Sequence, residues 1–440
     1  YSTIPVTFLP VSVGSQYEYF DFLGRKSQHV TEKSSPSRKD GFNINVYHQF
    51  GREELQYLPA TATSNAGLPI VDPQVKVATF YDPTAATHPL DVASTSAPYS
   101  KISFEPSPLN RPLKQGSAGE SWQPDSNPYL TSADHAVKLA YESNVAGEVL
   151  KWTYTPNTTS LGLVNAGTSA ARIYYAENTL VKAKTKDEDQ HEVIEFKNSE
   201  GRVILKQVQT NTSELAQTYY IYDNFDQLVC VLPPEAVKGI VKTSSEYLGL
   251  SDAIKETFLA RWAFRYTHDS RGRITSKQVP GASPVYMVYD KRDRIVLTQD
   301  GNQRTDASGN VTKKEWTFTK YDAFDRPVQS GIYTHATVIN QADMQLHVND
   351  EMNSANQFYE DFNGVAASEG YTNRVFPVSS TNILSVTYYD NYSFRSLWTG
   401  GWLDYTELRR IGAGTRDCST SCGTAWWNCM GRECRQRSRR

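Results

Sequence analysis

Over most of its length the chain alternates apolar and polar residues in short runs separated by polar turns. In Pro284-Val-Tyr-Met-Val-Tyr289 one face takes Val285, Met287 and Tyr289, and after a polar stretch Ile295-Val296-Leu297-Thr298 supplies a returning arm. Period-two alternation broken by Asp, Asn and Gly predicts antiparallel β-hairpins. Two stretches follow a helical period instead. Ser251 and Asp252 form a helix start, and Ile254, Phe258, Leu259 and Trp262 then recur at i, i+4, i+5 and i+8, predicting one apolar face over about 251–263. A second helix is predicted over 341–352, with Met344, Leu346, Val348 and Met352 on it. Both read as insertions that plug an end or brace a wall. The stretch from Ser64 to Asn127, rich in Pro, Ser, Thr and Ala, predicts loops and short edge strands.

One hairpin signature recurs: an aromatic strand, Tyr-Asp, two residues, Gly or Asp, Arg, and a second apolar strand. Its clearest copies are Tyr289-Asp290-Lys291-Arg292-Asp293-Arg294, Tyr321-Asp322-Ala323-Phe324-Asp325-Arg326 and Tyr222-Asp223-Asn224-Phe225-Asp226-Gln227. Near relatives begin at Phe20-Asp21, Tyr47-His48 and His268-Asp269, and decayed ones lie at Lys197-Asn198 to Arg202 and at Tyr389-Asp390-Asn391-Tyr392. The leading Asp can accept backbone N–H groups two residues on, and Gly, or less readily Asp, tolerates the positive φ that closes a short turn. The Arg is expected to lie along neighbouring aromatic rings or to pair with the Asp of an adjacent unit, a structural role. Motif spacings of 21, 32 and 68 residues from Asp269 through Asp290 and Asp322 to Asp390 argue against identical propeller blades. They suit hairpins joined edge to edge, with insertions looping from the edges.

Composition agrees with a β reading: of 440 residues, 27 are Tyr, 17 Phe and 8 Trp, against only 4 Met. The formal charge of −3 gives no global field for nucleic acid or an anionic membrane. That average hides a break. From Arg409 onward there are eight Arg against Asp417 and Glu433, a formal +6, leaving −9 on the preceding 408 residues. Cys418, Cys422, Cys429 and Cys434 also fall there. Three readings fit this tail: a zinc site, for which the Cys spacing is wrong and no His follows; a disulfide-linked element of an exported protein; or a disordered basic segment, including out-of-frame or vector-derived sequence, which is the reading we favour. No window is long and apolar enough for a membrane span. The start, lacking Met and a signal-peptide pattern, reads as a mature product or an excised fragment.

No residue pattern in the sequence points to a catalytic, cofactor-binding or metal-binding residue. The eight His are scattered, and His48 and His268 simply occupy Tyr-Asp positions of the repeat. Gly116-Ser-Ala-Gly119 lacks nucleophile-elbow spacing, and no phosphate loop or dinucleotide turn occurs. Asp187-Glu188-Asp189, Asp300-Gly301-Asn302 and Asp306 to Asn310 hint at cation ligands but read better as turns. A cryptic carboxylate pair of a hydrolase is a matter of spatial separation, which sequence does not give.

The Tyr-Asp-x-x-Gly-Arg hairpins resemble the YD repeats of the bacterial Rhs and polymorphic-toxin proteins, shared with shell subunits of insecticidal toxin complexes and with teneurins. The resemblance covers roughly Gln16 to Trp398. Phe20 to Arg25 and Ser103 to Asn110 resemble the uncharacterised N-terminal domain that precedes the repeats in many such proteins. It implies an all-β fold of YD-repeat hairpins forming a curved, spiralling sheet, a partial shell with two short helical insertions. The domains expected are an N-terminal β-rich domain over 1–180, a repeat sheet over 181–398 and the anomalous tail 399–440. The implied function is a structural shell segment, secreted or at the cell surface, that encloses or presents a C-terminal effector or toxin. Its partners would be that effector or the remaining shell, with no cofactor, no nucleic acid and no membrane span. An adhesion module binding a glycan or cell-surface protein is the alternative. The family's Asp-Pro-x-Gly type self-cleavage segment has no counterpart, since Asp72-Pro73 continues Gln-Val and Asp82-Pro83 continues Thr-Ala. Eight motifs predict a stretch of wall that ends before closure, with exposed edges prone to association.

Overall fold

The computed structural model describes residues 15–48, 50–127, 134–154, 161–163, 174–211, 214–242, 251–306, 308–355, 357–379, 381–390 and 394. The tail 399–440 and the motif residues Asn391 and Tyr392 lie outside the described residues. Antiparallel strands dominate, with a few short helices, so the fold is all-β as expected. The chain divides into two compact units, Tyr1–Lys151 with Val164–Tyr219, and Trp152–Leu163 with Tyr220–Arg440.

In the first unit the strands Gln16–Phe20, Lys26–Thr31, Asp40–Tyr47, Glu53–Tyr57, Tyr99–Phe104, Pro112–Gly116, Val137–Ser143, Val181–Lys186, Glu192–Lys197 and Val203–Asn211 each pair antiparallel with the next. The sequence put only loops and edge strands over Ser64–Asn127, and here the structure differs. Tyr99–Phe104 and Pro112–Gly116 are interior strands, hydrogen-bonded on both sides. A helix, α1 (Pro73–Tyr81), also falls there, started by Pro73 at its first turn. Val77 and Tyr81, one turn apart, carry α1 onto a core of Val30, Phe42, Ile44, Ala60 and Ile70.

In the second unit Leu228–Leu232, Phe264–His268, Ile274–Gln278, Val285–Tyr289, Ile295–Gln299, Glu315–Tyr321, Pro327–Thr334 and Thr381–Val386 follow one another in the same antiparallel way. The arms within a hairpin pair over a long register, from Glu315 opposite Thr334 to Tyr321 opposite Pro327. Neighbouring hairpins are joined more thinly, by Ser276 opposite Tyr286 and Lys277 opposite Val285, or by Leu297 opposite Phe318 and Thr298 opposite Thr317. Gly331 sits where Pro327–Thr334 meets its outer neighbour, and a Cβ there would lie 2.1 Å from the carbonyl oxygen of Asn382.

Antiparallel register places the five-residue motif turns of this unit at one end of the strands and the longer connections at the other. Those connections hold α2 (Pro234–Lys242), α3 (Asp252–Trp262), α4 (Gly301–Arg304) and α5 (Gln341–Ala355). The two helices expected from periodicity are α3 and α5. In α5, Met344, Val348 and Met352 are buried at successive turns against Val288, Val296, Leu297, Trp316 and Phe318, while Leu346 faces solvent. The Gln345 side-chain amide accepts from Tyr289 N–H at 2.9 Å and donates to Tyr289 O at 2.6 Å, bracing the strand beneath. The face expected of α3 is corrected: Leu259 is buried, but Ile254 and Trp262 are exposed. A charged contact, Glu256 with Arg265, ties that helix down instead.

Candidate functional site

The motif turns form one hydrogen-bonded module. At Asp290–Arg294 the N–H of Asp290 donates to Arg294 O at 3.0 Å and the N–H of Asp293 to Asp290 O at 3.2 Å. Asp290 Oδ1 accepts the N–H groups of Arg292 and Arg294, each at 2.9 Å, and Oδ2 accepts Nε of Arg294 at 2.7 Å. Asp293 closes the turn at φ 62°. The same bonds recur at Asp21–Arg25, Asp269–Arg273 and Asp322–Arg326, with Gly24, Gly272 or Asp325 at the positive φ. One carboxylate thus satisfies two backbone donors and orients a guanidinium. Burial opposes the charge on Asp21 and Asp269, yet the Arg and N–H donors hold both carboxyls below their usual range.

The variant turns at His48 and Asn198 use other acceptors for the same job. His48 puts Nδ1 where the carboxylate oxygen would be, 3.1 Å from Phe50 N–H. Asn198 accepts Arg202 N–H at 2.8 Å. Two of the three segments that hinted at cation ligands are further copies: Asp187 accepts the N–H groups of Asp189 and His191, and Asp306 those of Ser308 and Asn310. The third, at Asp300, caps α4, its carboxylate accepting Gln303 N–H at 2.9 Å. A copy that sequence reading missed spans Glu105–Arg111, two residues longer, with Glu for Asp. Glu105 takes Arg111 through both oxygens at 2.8–3.0 Å. Hydrogen bonds from Arg111 and Ser107 lower its pKa to about 2.

Each Arg also reaches the hairpin that follows it. Arg273 lies 4.5 Å from the ring centroid of Tyr289, Arg294 4.7 Å from Tyr321, Arg326 4.3 Å from Tyr389, and Arg25 4.3 Å from Tyr47. Each Tyr hydroxyl donates back to the carbonyl just after that Arg: Tyr289 to Ile274, Tyr321 to Ile295, Tyr389 to Pro327 and Tyr47 to Lys26. In the first unit Arg111 lies 4.6 Å over Tyr141, and Arg52 lies 5.2 Å over Phe104. The motif Tyr, Asp and Arg are therefore one lateral fastener shared between neighbouring hairpins. It lies where the ladder between hairpins is thinnest.

At two positive-φ positions the fastener gives an Asp a partner that Gly could not engage. Asp293 is held by Arg271 and Arg273 of the preceding turn, and Asp325 by Arg292 and Arg294. Where the preceding turn ends in Gln227, the position is Gly272. Gly51 follows Arg25 and departs from this pattern.

Two buried charged groups anchor loops. Lys320 and Glu360, both almost wholly buried, meet at 3.0 Å, and Glu360 also accepts Thr372 Oγ1 and the N–H groups of Arg374 and Val375. Burial lowers the Lys320 pKa against the pull of Glu360. In the first unit Asp134 receives both Lys114 and Lys138 at 3.0 Å.

Beside Glu360 lies a cleft of 180 Å³ lined by Asp322, Arg326, Asp361, Phe362, Tyr371, Tyr388, Tyr389 and Asp390. Its rings stack on one another, Tyr388 on Phe394 at 4.4 Å and on Tyr371 at 5.7 Å. Its carboxylates are hydrogen-bonded: Asp322 and Asp390 by Arg326, Asp361 by Arg374. Cohesion is what such a lining supplies chemically. Cys230, pushed by burial up to about 12, is a neutral thiol. Among the described residues no group of three or more His, Cys, Asp or Glu is placed to hold a metal ion, and no helix is long and apolar enough to cross a membrane.

Residues 10–135 match a family described as a domain of unknown function, DUF6443. No curated protein matches the chain. Among solved structures, it is similar to a crystal structure of TcdB2-TccC3-TEV at 10% identity and a TM-score of 0.42, over 74% of this chain and 13% of that one. It is also similar to a Photorhabdus luminescens Tc holotoxin pore carrying a TccC3 mutation, at 10% identity and a TM-score of 0.40, over 73% of this chain and 12% of that one. The chain thus spans about an eighth of the length of the chains it matches.

Proposed function

We propose that this chain is a stretch of wall in an Rhs-like, YD-repeat shell that encloses or presents a C-terminal effector or toxin outside the cell. The observation that supports this reading is the Tyr-Asp-Arg fastener, repeated from hairpin to hairpin through Arg273, Arg294 and Arg326. A wall needs a joint that works the same way at every increment, independent of what is inserted elsewhere. In this reading the helices brace the wall, the partners are the effector or the remaining shell, and the chain turns over no substrate itself. Negative-stain electron microscopy of the purified chain tests it. A curved sheet-like particle is expected, and a compact globule would overturn the proposal.

A second reading, an adhesion module, draws on the exposed Phe225 and Phe324, which occupy equivalent turn positions. Aromatic faces at a rim suit glycans or a protein surface. A glycan array without signal would remove its carbohydrate form, and a cell-binding assay without signal its protein form.

A further inference from the structure

One hairpin junction in the second unit lacks the fastener on both sides at once. Between the turns 223–227 and 269–273, register brings Gln227 and His268 to the places held elsewhere by Arg and Tyr, since Cys230 opposes Arg265 and Val231 opposes Phe264. Gly272, not Asp, stands at the third position, with Gln227 Nε2 3.4 Å from where its Cβ would be. The guanidinium, the phenol and the receiving carboxylate are therefore all absent from the places that fasten Arg273 to Tyr289 and Asp293. The short ladder and the apolar packing of Cys230, Leu232 and Ala263 hold the strands there, with His268 in the place of the phenol. His268 Nδ1 is buried without a hydrogen-bond partner.

We propose that this junction is an acid-sensitive seam, at which protonation of His268 loosens Leu228–Leu232 from Phe264–His268 while the fastened junctions on the far side stay closed. The charged groups around His268 can be named from each packed element. Asp223 and Asp226 lie on the preceding turn, and Asp269, Arg271 and Arg273 on its own turn. The returning strand Ile274–Gln278 brings Lys277, and the facing strand brings Cys230. Asp269 is taken by Arg273, and Arg271 and Arg273 both reach Asp293, while Asp223 accepts the N–H groups of Phe225 and Gln227 and acts on the imidazole through space rather than through a hydrogen bond to Nδ1. Burial lowers the His268 pKa below its ordinary 6.5, with Asp223 and Asp269 pulling the other way. A neutral ring is thus the form the folded seam favours. Its contribution is complete above the unfolded value and is lost as pH falls toward the folded one.

The test is hydrogen exchange on the full chain at about pH 7.5 and about pH 5, corrected for intrinsic rates, followed at the amides of 228–232 and 264–268. A loss of protection at the lower pH is expected there, with the ladder between Ile295–Gln299 and Glu315–Tyr321 unchanged. The double variant Gln227→Arg, His268→Tyr, which installs the fastener, and the single variant His268→Gln, which cannot titrate, should both abolish the response. Equal protection of the wild-type seam at both pH values would overturn the proposal. So would a response that survives in either folded variant.

Discussion

Arg294 gives the sharpest quantitative test of the fastener. Its side chain is 9% exposed and that of its partner Asp290 0%, so Arg294→Ala leaves a carboxylate inside the protein without its cation. Removing one partner of a buried pair costs about 3–5 kcal/mol. The Tyr321 face adds about 0.5–1 kcal/mol and the exposed Asp325 contact at most about 1 kcal/mol. Together these terms span about 3.5–7 kcal/mol, and the two backbone N–H donors that Asp290 keeps pull the total toward the lower part of that span. We expect a loss of about 4 kcal/mol for Arg294→Ala, and about half of it for Arg294→Lys, which keeps charge but not the planar fork. Urea denaturation followed by circular dichroism measures the size. Hydrogen exchange at Ile295–Gln299 and Glu315–Tyr321 locates it at that junction. A loss under about 1 kcal/mol would mean that the pair behaves as an ordinary surface ion pair, and the fastener would be decoration.

Other outcomes follow from separate parts of the structure. Lys320→Met should cost about 3–5 kcal/mol by stranding Glu360, and the double variant Lys320→Met, Glu360→Leu should recover part of it in the same denaturation assay. On α5, Met344→Ala should cost about 2–5 kcal/mol as a core cavity, whereas Leu346→Ala, on the exposed side, should stay within about 0.5 kcal/mol. Asp269 is held below its ordinary 3.8, so its contribution is present above that value and disappears as pH falls through the lowered one; Asp269→Asn should flatten that part of an acid-unfolding curve. The thiol of Cys230 should resist alkylation at mild alkaline pH until urea unfolds the chain, as peptide mapping would show.

Much of the turn chemistry was legible from sequence, because an Asp two residues before a donor and a Gly or Asp at positive φ leave little conformational choice. The Arg-to-ring contact was legible for the same reason: one residue type recurs at one phase of the repeat. Glu105 escaped because the repeat was read at fixed length, and a carboxylate one methylene longer can serve a turn two residues longer. His48 was visible as a motif position, but an imidazole nitrogen standing in for a carboxylate oxygen is a geometric fact. Helix α1 stayed hidden because only Val77 and Tyr81 of it are buried, too short a stripe to outweigh the Pro and Ser around it. In α3 the apolar spacing was real, but burial depends on how the helix is seated: Glu256 meets Arg265, Leu259 is buried and Ile254 faces outward. Which carboxylate takes a second Arg needed the register of neighbouring hairpins, which no local pattern contains.

The fastener has a direction. Arg273, Arg294 and Arg326 are each completed by the hairpin later in the chain, never by the one before. During synthesis a newly emerged hairpin would therefore lock its predecessor while remaining unlocked itself. Assembly would advance like a zip with a single open tooth, always at the growing end, and an error in one hairpin would be felt first by the hairpin already made.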